Sequence, residues 1–254
     1  MTYQVKVNNG SWETVNNNDV LTVGNTARYM KLGLSKNTTY SFYLRAKNSD
    51  GITSESVKVV GKTNSPEITL FGARGADYDF YTNLTKLKFD TLKQKIGVSN
   101  VNLQKNSSAE DAVESLKNNS KFCMIKAHGS YDAVIINGET NSRLSKTSID
   151  NIPKNGLSHI DVLVLSACQT GQDINTTTLM EAFNNKGVKT TIGFVKSIKV
   201  VAASKFETAF EAQIEQGLKE GCTYNSEFIR DCAYNARSEA LVDDEEGMKS
   251  MVIY

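Results

Sequence analysis

The sequence lacks the features that mark membrane-spanning and nucleic-acid-binding proteins. No apolar run approaches the roughly 20 residues that a membrane-spanning helix needs. The formal net charge is only +1, with acidic and basic residues mixed along all 254 positions. No basic stripe of the kind that tracks phosphates stands out. We therefore expect neither a membrane nor a nucleic acid as a partner.

Cysteine and histidine are scarce, with four and two residues respectively. They are Cys123, Cys168, Cys222, Cys232, His128 and His159. No C-x-x-C pair occurs and no zinc-ligand spacing can be assembled, so a structural metal is not expected. Cys222 and Cys232 could pair in an oxidising compartment, although two free thiols on or near a helix are the favoured interpretation. Cysteine usage therefore does not indicate in which cellular compartment the protein is located.

The first 63 residues show short alternating patterns and no long helical pattern. Apolar residues alternate from Tyr3 to Val7 before an Asn-Asn-Gly turn, and from Tyr40 to Ala46 before a second turn that ends at Gly51. Each alternation predicts a strand with one buried face. Residues 34–48 resemble the later strands of a fibronectin type III module, which implies a small all-β domain at residues 1–63. Such a module has about seven strands, and because the first two have no counterpart, we expect the chain to begin inside a domain of a larger parent protein.

A polar segment at 61–66 separates this region from a different periodicity, so we place the domain boundary there. Continuous apolar runs follow at 68–71, 122–127, 162–167 and 191–195, and helical patterns lie at 84–96, 107–116, 179–183 and 206–218. Apolar runs of this kind are typical of strands that are buried on both faces of a parallel sheet. The alternation predicts, for residues 67–254, a doubly wound and mostly parallel α/β sheet flanked by helices. Ligands of such folds bind beyond the carboxyl ends of the strands.

The last of these helical patterns is amphipathic. Four apolar residues recur every fourth position, and three glutamates line another face; these are Phe206, Phe210, Ile214 and Leu218, and Glu207, Glu211 and Glu215. The pattern predicts a helix that covers the sheet with its apolar face.

Two chemically capable side chains follow apolar strands at their carboxyl ends. His128 follows the run that ends at Ala127, and Cys168 follows the run that ends at Ala167. The 40 residues between them allow a hairpin and a right-handed crossover to a neighbouring strand, and adjacent strands lie about 4.8 Å apart. An imidazole can raise the thiolate fraction of a nearby cysteine or protonate a leaving amine. The pair therefore predicts acyl transfer with Cys168 as the nucleophile and His128 as its catalytic partner.

The residue after the histidine adds a feature of acyl-transfer sites. Gly129 lets the backbone approach a substrate carbonyl closely, and the amides of Gly129 and Cys168 could form an oxyanion hole. Cys123 lies inside a predicted strand, and His159 precedes a strand at its amino end. We therefore interpret Cys123 and His159 as structural residues.

These residues carry a resemblance to the caspase-like cysteine peptidases, and within them most closely to the CHAT group. The similar segments are Ala127-His128-Gly129, Asp161 to Gly171 (DVLVLSACQTG), Ala182-Phe183, Gly187-Val188 and Thr191-Ile192-Gly193. The hairpin at 134–139 is similar to the one found in caspases. Over residues 67–254 the resemblance implies a caspase-like α/β fold, peptide-bond hydrolysis by a His128 and Cys168 dyad, and no obligatory cofactor.

The resemblance also implies a docking segment for the substrate. The CHAT pattern commonly has a tryptophan shortly after the strand at 192–195, whereas this chain has Lys196-Ser197 there and its only tryptophan is Trp12. The residues expected to dock the substrate are Phe194, Val195, Lys196 and Ser197.

Two acidic residues lie near the expected mouth of the site, Asp132 after His-Gly and Asp173 after the cysteine turn. Either could pair with a substrate Arg or Lys, which suggests cleavage after a basic residue. The alternative is that both are solvated loop acids.

We expect a protein or peptide substrate, and regulatory contact with the missing parts of a parent protein. Two other functions stay open: a catalytically silent caspase-like interaction module, and an adhesion or carbohydrate-binding protein that acts through the β region. The presence of both His128 and Cys168 favours the peptidase. A secreted or cell-surface bacterial protein is favoured over a cytoplasmic one.

Overall fold

The computed structural model describes residues 2–15, 20–23, 26–29, 31, 34, 38–63, 67–73, 76–105, 107–118, 120–137, 140, 142–172 and 177–254. The chain divides into two compact units, Met1–Ser65 and Pro66–Tyr254. In the part of the chain that the structure describes, no helix combines the length and apolarity that membrane crossing requires.

The described residues of the first unit form antiparallel strands. They are β1 (Thr2–Val7), β2 (Glu13–Thr14), β3 (Val20–Val23), β4 (Thr26–Tyr29), β5 (Thr39–Lys47) and β6 (Val57–Lys62). One sheet has the order β2-β1-β5-β6, and β3 pairs with β4. Strands are confirmed at the two predicted alternations, as β1 and β5. The predicted buried face is present only in part, since Val5 is buried whereas Tyr3 and Leu44 are exposed. Their turns use left-handed backbone at Asn8 (φ 51°) and Gly51 (φ 85°).

One face of this sheet collects cations that are scattered along the sequence. The ammonium of Lys6 lies 4.5 Å from the ring centre of Tyr43, and the guanidinium of Arg45 lies 4.0 Å from that of Trp12. Lys58, opposite Tyr43 on β6, lies 5.7 Å from the same tyrosine ring. Cation–π contacts at exposed sites stabilise by about 0.5–1 kcal/mol each. The pairing of strands therefore builds a cation–aromatic ladder out of residues far apart in sequence.

The second unit is a three-layer α/β structure. Its strands are β7 (Glu67–Gly72), β8 (Asn100–Lys105), β9 (Ser120–Lys126), β10 (His128–Gly129), β11 (Ala133–Asn137), β12 (Ser142–Ser145), β13 (Val162–Ser166), β14 (Thr190–Phe194) and β15 (Met251–Ile253). Its helices are α1 (Ala76–Ile96), α2 (Ala109–Asn118), α3 (Lys146–Asp150), α4 (Leu179–Asn185), α5 (Val200–Lys219), α6 (Ser226–Ala240) and α7 (Glu245–Lys249).

A six-stranded sheet of order β15-β14-β13-β9-β7-β8 forms the middle layer. All its neighbouring pairs are parallel except β14 with β15. Side chains alternate between its faces, so Phe122 and Met124 pack under α1, α5 and α6, whereas Cys123 and Ile125 pack under α2, α3 and α4. The predicted mixed α/β class with a mostly parallel, helix-flanked sheet is confirmed.

The predicted strands and helices lie where the apolar patterns place them, with shifts at their ends. Helix α1 begins at Ala76, eight residues before the predicted start. Helix α2 begins at Ala109, two residues after the start of the predicted pattern, and is capped by Ser108, whose hydroxyl accepts from the amide of Asp111 at 3.0 Å. Sequence reasoning missed β8, β10, β12, α3, α6 and α7, which are short or rich in polar residues.

A buried polar cluster, here called the Lys126 cluster, joins β9 to α5 and α1. Its members are Lys126, Thr85, Lys88, Glu207 and Glu211. The ammonium of Lys126 pairs with Oε2 of Glu207 and donates to the Thr85 hydroxyl at 2.7 Å. Glu211 is 3% exposed and lies 3.6 Å from Lys88. Burial raises the pKa of the Glu211 carboxyl from 4.5 to about 7, against the attraction of Lys126.

The Lys126 cluster predicts how stability depends on pH. Between about pH 4.5 and 7, the Glu211 carboxyl keeps its proton in the folded state, whereas the same carboxyl has lost its proton in the unfolded chain. The free energy of unfolding should therefore fall as pH rises through this window, by up to about 3 kcal/mol from this group. Glu211→Gln, which carries no titratable group, should show a correspondingly shallower decline in urea denaturation between pH 4.5 and 7.5.

Glu215→Gln is the matched control on the same helix. Hydrogen bonding to Lys219 lowers the pKa of Glu215, so its contribution has the opposite sign and lies at lower pH. The Glu215→Gln variant should keep the wild-type decline. An unchanged decline in Glu211→Gln would contradict the assignment.

Helix α4 depends on a capping box in the segment after the cysteine loop. The Thr178 hydroxyl accepts from the Glu181 amide at 3.1 Å, and the Thr178 amide donates to the Glu181 carboxylate at 2.8 Å. Because α4 has only seven residues, Thr178→Ala should lower the free energy of unfolding by about 1–2 kcal/mol. Thr177→Ala changes an exposed neighbour and should cost no more than about 0.5 kcal/mol. Equal losses in the two variants would show that the cap does not matter.

Candidate active site

The two candidate catalytic residues lie beyond adjacent strands of the central sheet. Strands β9 and β13 pair in parallel with a constant offset of 40 residues, from Phe122 opposite Val162 to Lys126 opposite Ser166. The amide of Ala127 still donates to the Ser166 carbonyl at 3.3 Å. His128 and Cys168 have the same offset, so they occupy equivalent positions at the carboxyl edge of the sheet. His128 is exposed and Cys168 is half-buried.

Gly129 lies directly against the backbone of Cys168. A Cβ atom at Gly129 would stand 2.4 Å from the Cys168 carbonyl oxygen and 2.8 Å from the Cβ of Ala167. Real Cβ contacts are not that short, so this position excludes every side chain. The glycine thereby lets the segment after β9 approach the cysteine.

The hairpin that begins at His128 also fixes the direction of the Gly129 amide. Strand β10 pairs with β11 so that Gly129 is opposite Val134, and the Ser130 amide donates to the Ala133 carbonyl at 2.8 Å. Hydrogen-bonded and non-hydrogen-bonded pairs alternate in an antiparallel ladder. Gly129 therefore takes a non-hydrogen-bonded position, and its N–H points away from β11.

The loop that carries Cys168 is held against the end of β14. Gln169 adopts left-handed backbone (φ 59°), and its amide donates to the Lys196 carbonyl at 3.2 Å. The Gly171 amide donates to the Phe194 carbonyl at 3.0 Å. The Ile198 amide points at the sulfur of Cys168, with an N···Sγ distance of 3.4 Å. The thiol is therefore fixed between β13 and the segment after β14.

The predicted docking segment is partly engaged within the protein. The Phe194 side chain is fully buried and packs edge-on against Phe206, with ring centres 5.7 Å apart. The Val195 amide donates to the Ser250 carbonyl at 3.0 Å, and the Lys196 amide donates to the Ser250 hydroxyl at 3.1 Å. Ser197 is exposed. A substrate strand pairing with the amides of 195 and 196 would have to displace Ser250.

Two acidic residues, Asp132 and Asp173, were predicted as possible partners of a basic substrate side chain, and the structure describes only the first of them. Asp132 accepts from the Ser130 hydroxyl at 2.7 Å, and its carbonyl accepts from the Lys146 amide at 2.7 Å. Its carboxylate is thus engaged within its own turn. Asp173 lies outside the described residues.

A pocket, here called the Cys168 pocket, opens beside the cysteine on the α5 face of the sheet. It is lined by Lys126, Ala127, Ser166, Ala167, Cys168, Ile198, Val200, Ala203, Ser204 and Glu207. Alanine, serine and aliphatic side chains make up most of its lining, and the Lys126–Glu207 ion pair also lines it. Sequence reasoning missed this pocket. The available signal was a lysine that directly follows the apolar residues 122–125 of a buried strand.

The remaining cysteines and the second histidine lie in structural surroundings. Burial raises the pKa of the Cys123 thiol to about 12, and that of Cys232 to about 12. Cys222 is exposed, and all four cysteines are free thiols. His159 lies with Nε2 2.8 Å from the Leu116 carbonyl, and burial lowers its pKa. Among the described residues, no group of three or more potential ligands could hold a metal ion.

No protein-family model matches the chain, and no curated protein matches it. Solved structures do match. The Arg-specific cysteine proteinase gingipain R superposes with a TM-score of 0.60 at 8% identity, over 74% of this chain and 46% of that chain. The complex of the Porphyromonas gingivalis RgpB pro- and mature domains gives a TM-score of 0.55 at 11% identity, with the same coverage.

A Saccharomyces cerevisiae separase–securin complex gives a TM-score of 0.52 at 14% identity, over 75% of this chain and 12% of that chain. The present chain therefore spans less than half of the gingipain chains and about an eighth of separase. At such identities the likeness concerns the fold. The chain shares its caspase-like α/β fold with gingipain R and with separase.

Proposed function

We propose that this protein is a cysteine endopeptidase that hydrolyses peptide bonds with Cys168 as the nucleophile and His128 as its acid–base partner. The observation that carries the proposal is the shared offset of 40 residues between β9 and β13, which brings both residues to one edge of the sheet. In the reaction the thiolate attacks the substrate carbonyl, and the imidazolium protonates the leaving amine. Water then hydrolyses the acyl-enzyme.

The arrangement around Gly129 supports acyl transfer. A tetrahedral intermediate needs N–H donors aimed at its oxyanion. The Gly129 N–H points away from β11, and the Gly129 backbone lies against that of Cys168. We propose that the amides of Gly129 and Cys168 form the oxyanion hole.

Finer assignments extend the proposal. The sequence motifs at 127–129 and 161–171 support membership of the CHAT group, and the strand pattern at 40–46 supports a partial fibronectin type III-like module at residues 1–63. We propose a protein or peptide substrate that is cut after a basic residue and docks along Phe194 to Ser197, with Asp132 and Asp173 as candidate selectors. Regulatory partners would act on the same edge of the sheet.

The nucleophile assignment predicts the effect of removing each central-sheet thiol. Cys168→Ala should abolish hydrolysis of a mixed peptide library, by at least about a thousandfold, while the protein stays folded. His128→Ala should prevent covalent labelling of Cys168 by an electrophilic peptide ketone. Cys123→Ala is the matched control: it should keep the activity and lower stability by about 1 kcal/mol.

Wild-type activity in Cys168→Ala would disprove the dyad. Labelling of the wild type without hydrolysis of any library member would favour a silent peptide-binding module instead. Intact-mass spectrometry and thermal melts accompany each variant.

The glycine contact predicts a second effect on activity. In Gly129→Ala the new methyl group must displace the Cys168 backbone, so the oxyanion donors move. We expect kcat to fall about a hundredfold or more with a smaller change in KM. Gly61→Ala, where a Cβ meets nothing within 4 Å, should keep wild-type kinetics. Unchanged kcat in Gly129→Ala would contradict the proposed oxyanion hole.

A further inference from the structure

The outer strand of the sheet in the first unit is exposed along its whole length. Strand β6 lies at one edge of the order β2-β1-β5-β6, and all six of its residues are exposed. Its three valines, Val57, Val59 and Val60, are between 57% and 65% exposed. Proteins usually shorten, bulge or cover such edges, because their unpaired N–H and C=O groups pair readily with another chain. The β6 edge therefore offers a place where an extended segment can join the sheet.

The hydrogen bonds of β5 show which backbone groups of β6 point outward. Ser41 bonds to Asn8, on the β1 side, through both its amide and its carbonyl. The amide and carbonyl of Ala46 instead bond to Ser54, on the β6 side. Since the direction alternates along an antiparallel strand, even-numbered residues of β5 bond toward β6, and their partners are the odd-numbered residues of β6. The outward N–H and C=O groups therefore belong to Lys58, Val60 and Lys62.

The side chains of β6 divide between two chemically different faces of the sheet. Lys58 is opposite Tyr43 and lies on the face of the cation–aromatic ladder, and Lys62 has the same parity along β6. Val57 lies on the other face, opposite the exposed Leu44. A strand added to β6 would therefore place its side chains alternately beside lysines and beside apolar residues.

The lysine face carries cations that lack acidic partners. Lys6 and Lys58 both approach the Tyr43 ring, and Arg45 lies over the Trp12 ring. None of these three cations pairs with a carboxylate among the described residues. The first unit holds eight lysines and arginines against four aspartates and glutamates, a net charge of +4. Because like charges on one face repel, acidic side chains of a partner would be stabilised there.

We propose that β6 binds an extended segment of a partner protein by strand addition, and that this segment alternates acidic with apolar residues. Continuing the antiparallel order of the sheet, the partner residues opposite Lys58 and Lys62 are acidic and four positions apart. Those opposite Val57 and Val59 are apolar. A second copy of β6 is the poorer occupant, since its lysines would approach those of the first copy. The inference concerns the first unit and does not depend on the proposed peptidase activity.

The binding test uses the full chain and the fluorescently labelled peptide acetyl-Glu-Val-Thr-Val-Glu-Val-amide. Its glutamates are designed to lie opposite Lys62 and Lys58. Fluorescence anisotropy should show binding at least about tenfold tighter than that of the same peptide with lysine in place of both glutamates. The double variant Lys58→Glu, Lys62→Glu should reverse this preference. Lys154→Glu, which changes an exposed lysine of the second unit, is the matched control and should keep it.

Backbone changes distinguish strand addition from attraction between charges alone. The threonine of the peptide, opposite Val60, would direct its N–H toward β6, and the valine after it would direct its N–H away. N-methylation of the threonine should weaken binding at least about tenfold, whereas N-methylation of that valine should change it by less than about threefold. On the protein, Val60→Pro removes an outward N–H without touching the pairing with β5, and should weaken binding as much. Val60→Thr should bind like the wild type, and thermal melts check the folding of both variants.

Three results would overturn the inference. The first is equal affinity for the glutamate and lysine peptides. The second is an equal effect of the two N-methyl groups, which would show attraction to a polyanion without strand pairing. The third is a concentration-dependent dimer in sedimentation that Val60→Pro abolishes while the glutamate peptide does not bind, which would assign the edge to a second copy of the chain.

Discussion

The parallel pairing of β9 with β13 is the constraint on which the candidate site depends. Backbone hydrogen bonds fix the offset between the two strands at 40 residues, and a slip of one residue would turn every side chain to the other face of the sheet. Because both strands are buried on both faces, such a slip would expose core residues and bury polar ones. The positions of His128 and Cys168 are therefore a consequence of core packing.

Close packing of the backbone then brings the residues of the proposed reaction centre together. The Gly129 backbone can touch that of Cys168 only because no side chain intervenes, and the cysteine loop is held by hydrogen bonds to the Lys196 and Phe194 carbonyls. The groups proposed to react are thus positioned by rigid strands and their ends. Preorganised donors of this kind stabilise developing charge without reorganising during the reaction.

The Lys126 cluster illustrates the desolvation cost of burying charged groups between the sheet and its helices. Removing charged groups from water is expensive, and replacing a buried ion pair by apolar residues is often neutral or stabilising. A cluster that leaves Oε1 of Glu211 without a partner among the described residues is therefore a poor device for stability alone.

The sequence by itself determined the α/β class, the main buried strands, and the placing of His128 and Cys168 at strand ends, because continuous apolar runs and the residues that follow them are local signals. It did not reveal short or polar elements such as β10, β12 and α6, whose formation depends on contacts with the rest of the sheet. Only the tertiary structure decided the burial of Glu207 and Glu211. The helical pattern alone places both glutamates on a polar face of α5, which would be expected to face solvent. In the structure this face packs against the sheet, where Glu207 pairs with Lys126, a residue some 80 positions earlier in the chain. The pairing of a buried cation with a distant carboxylate depends on how strands and helices pack, which no local pattern encodes.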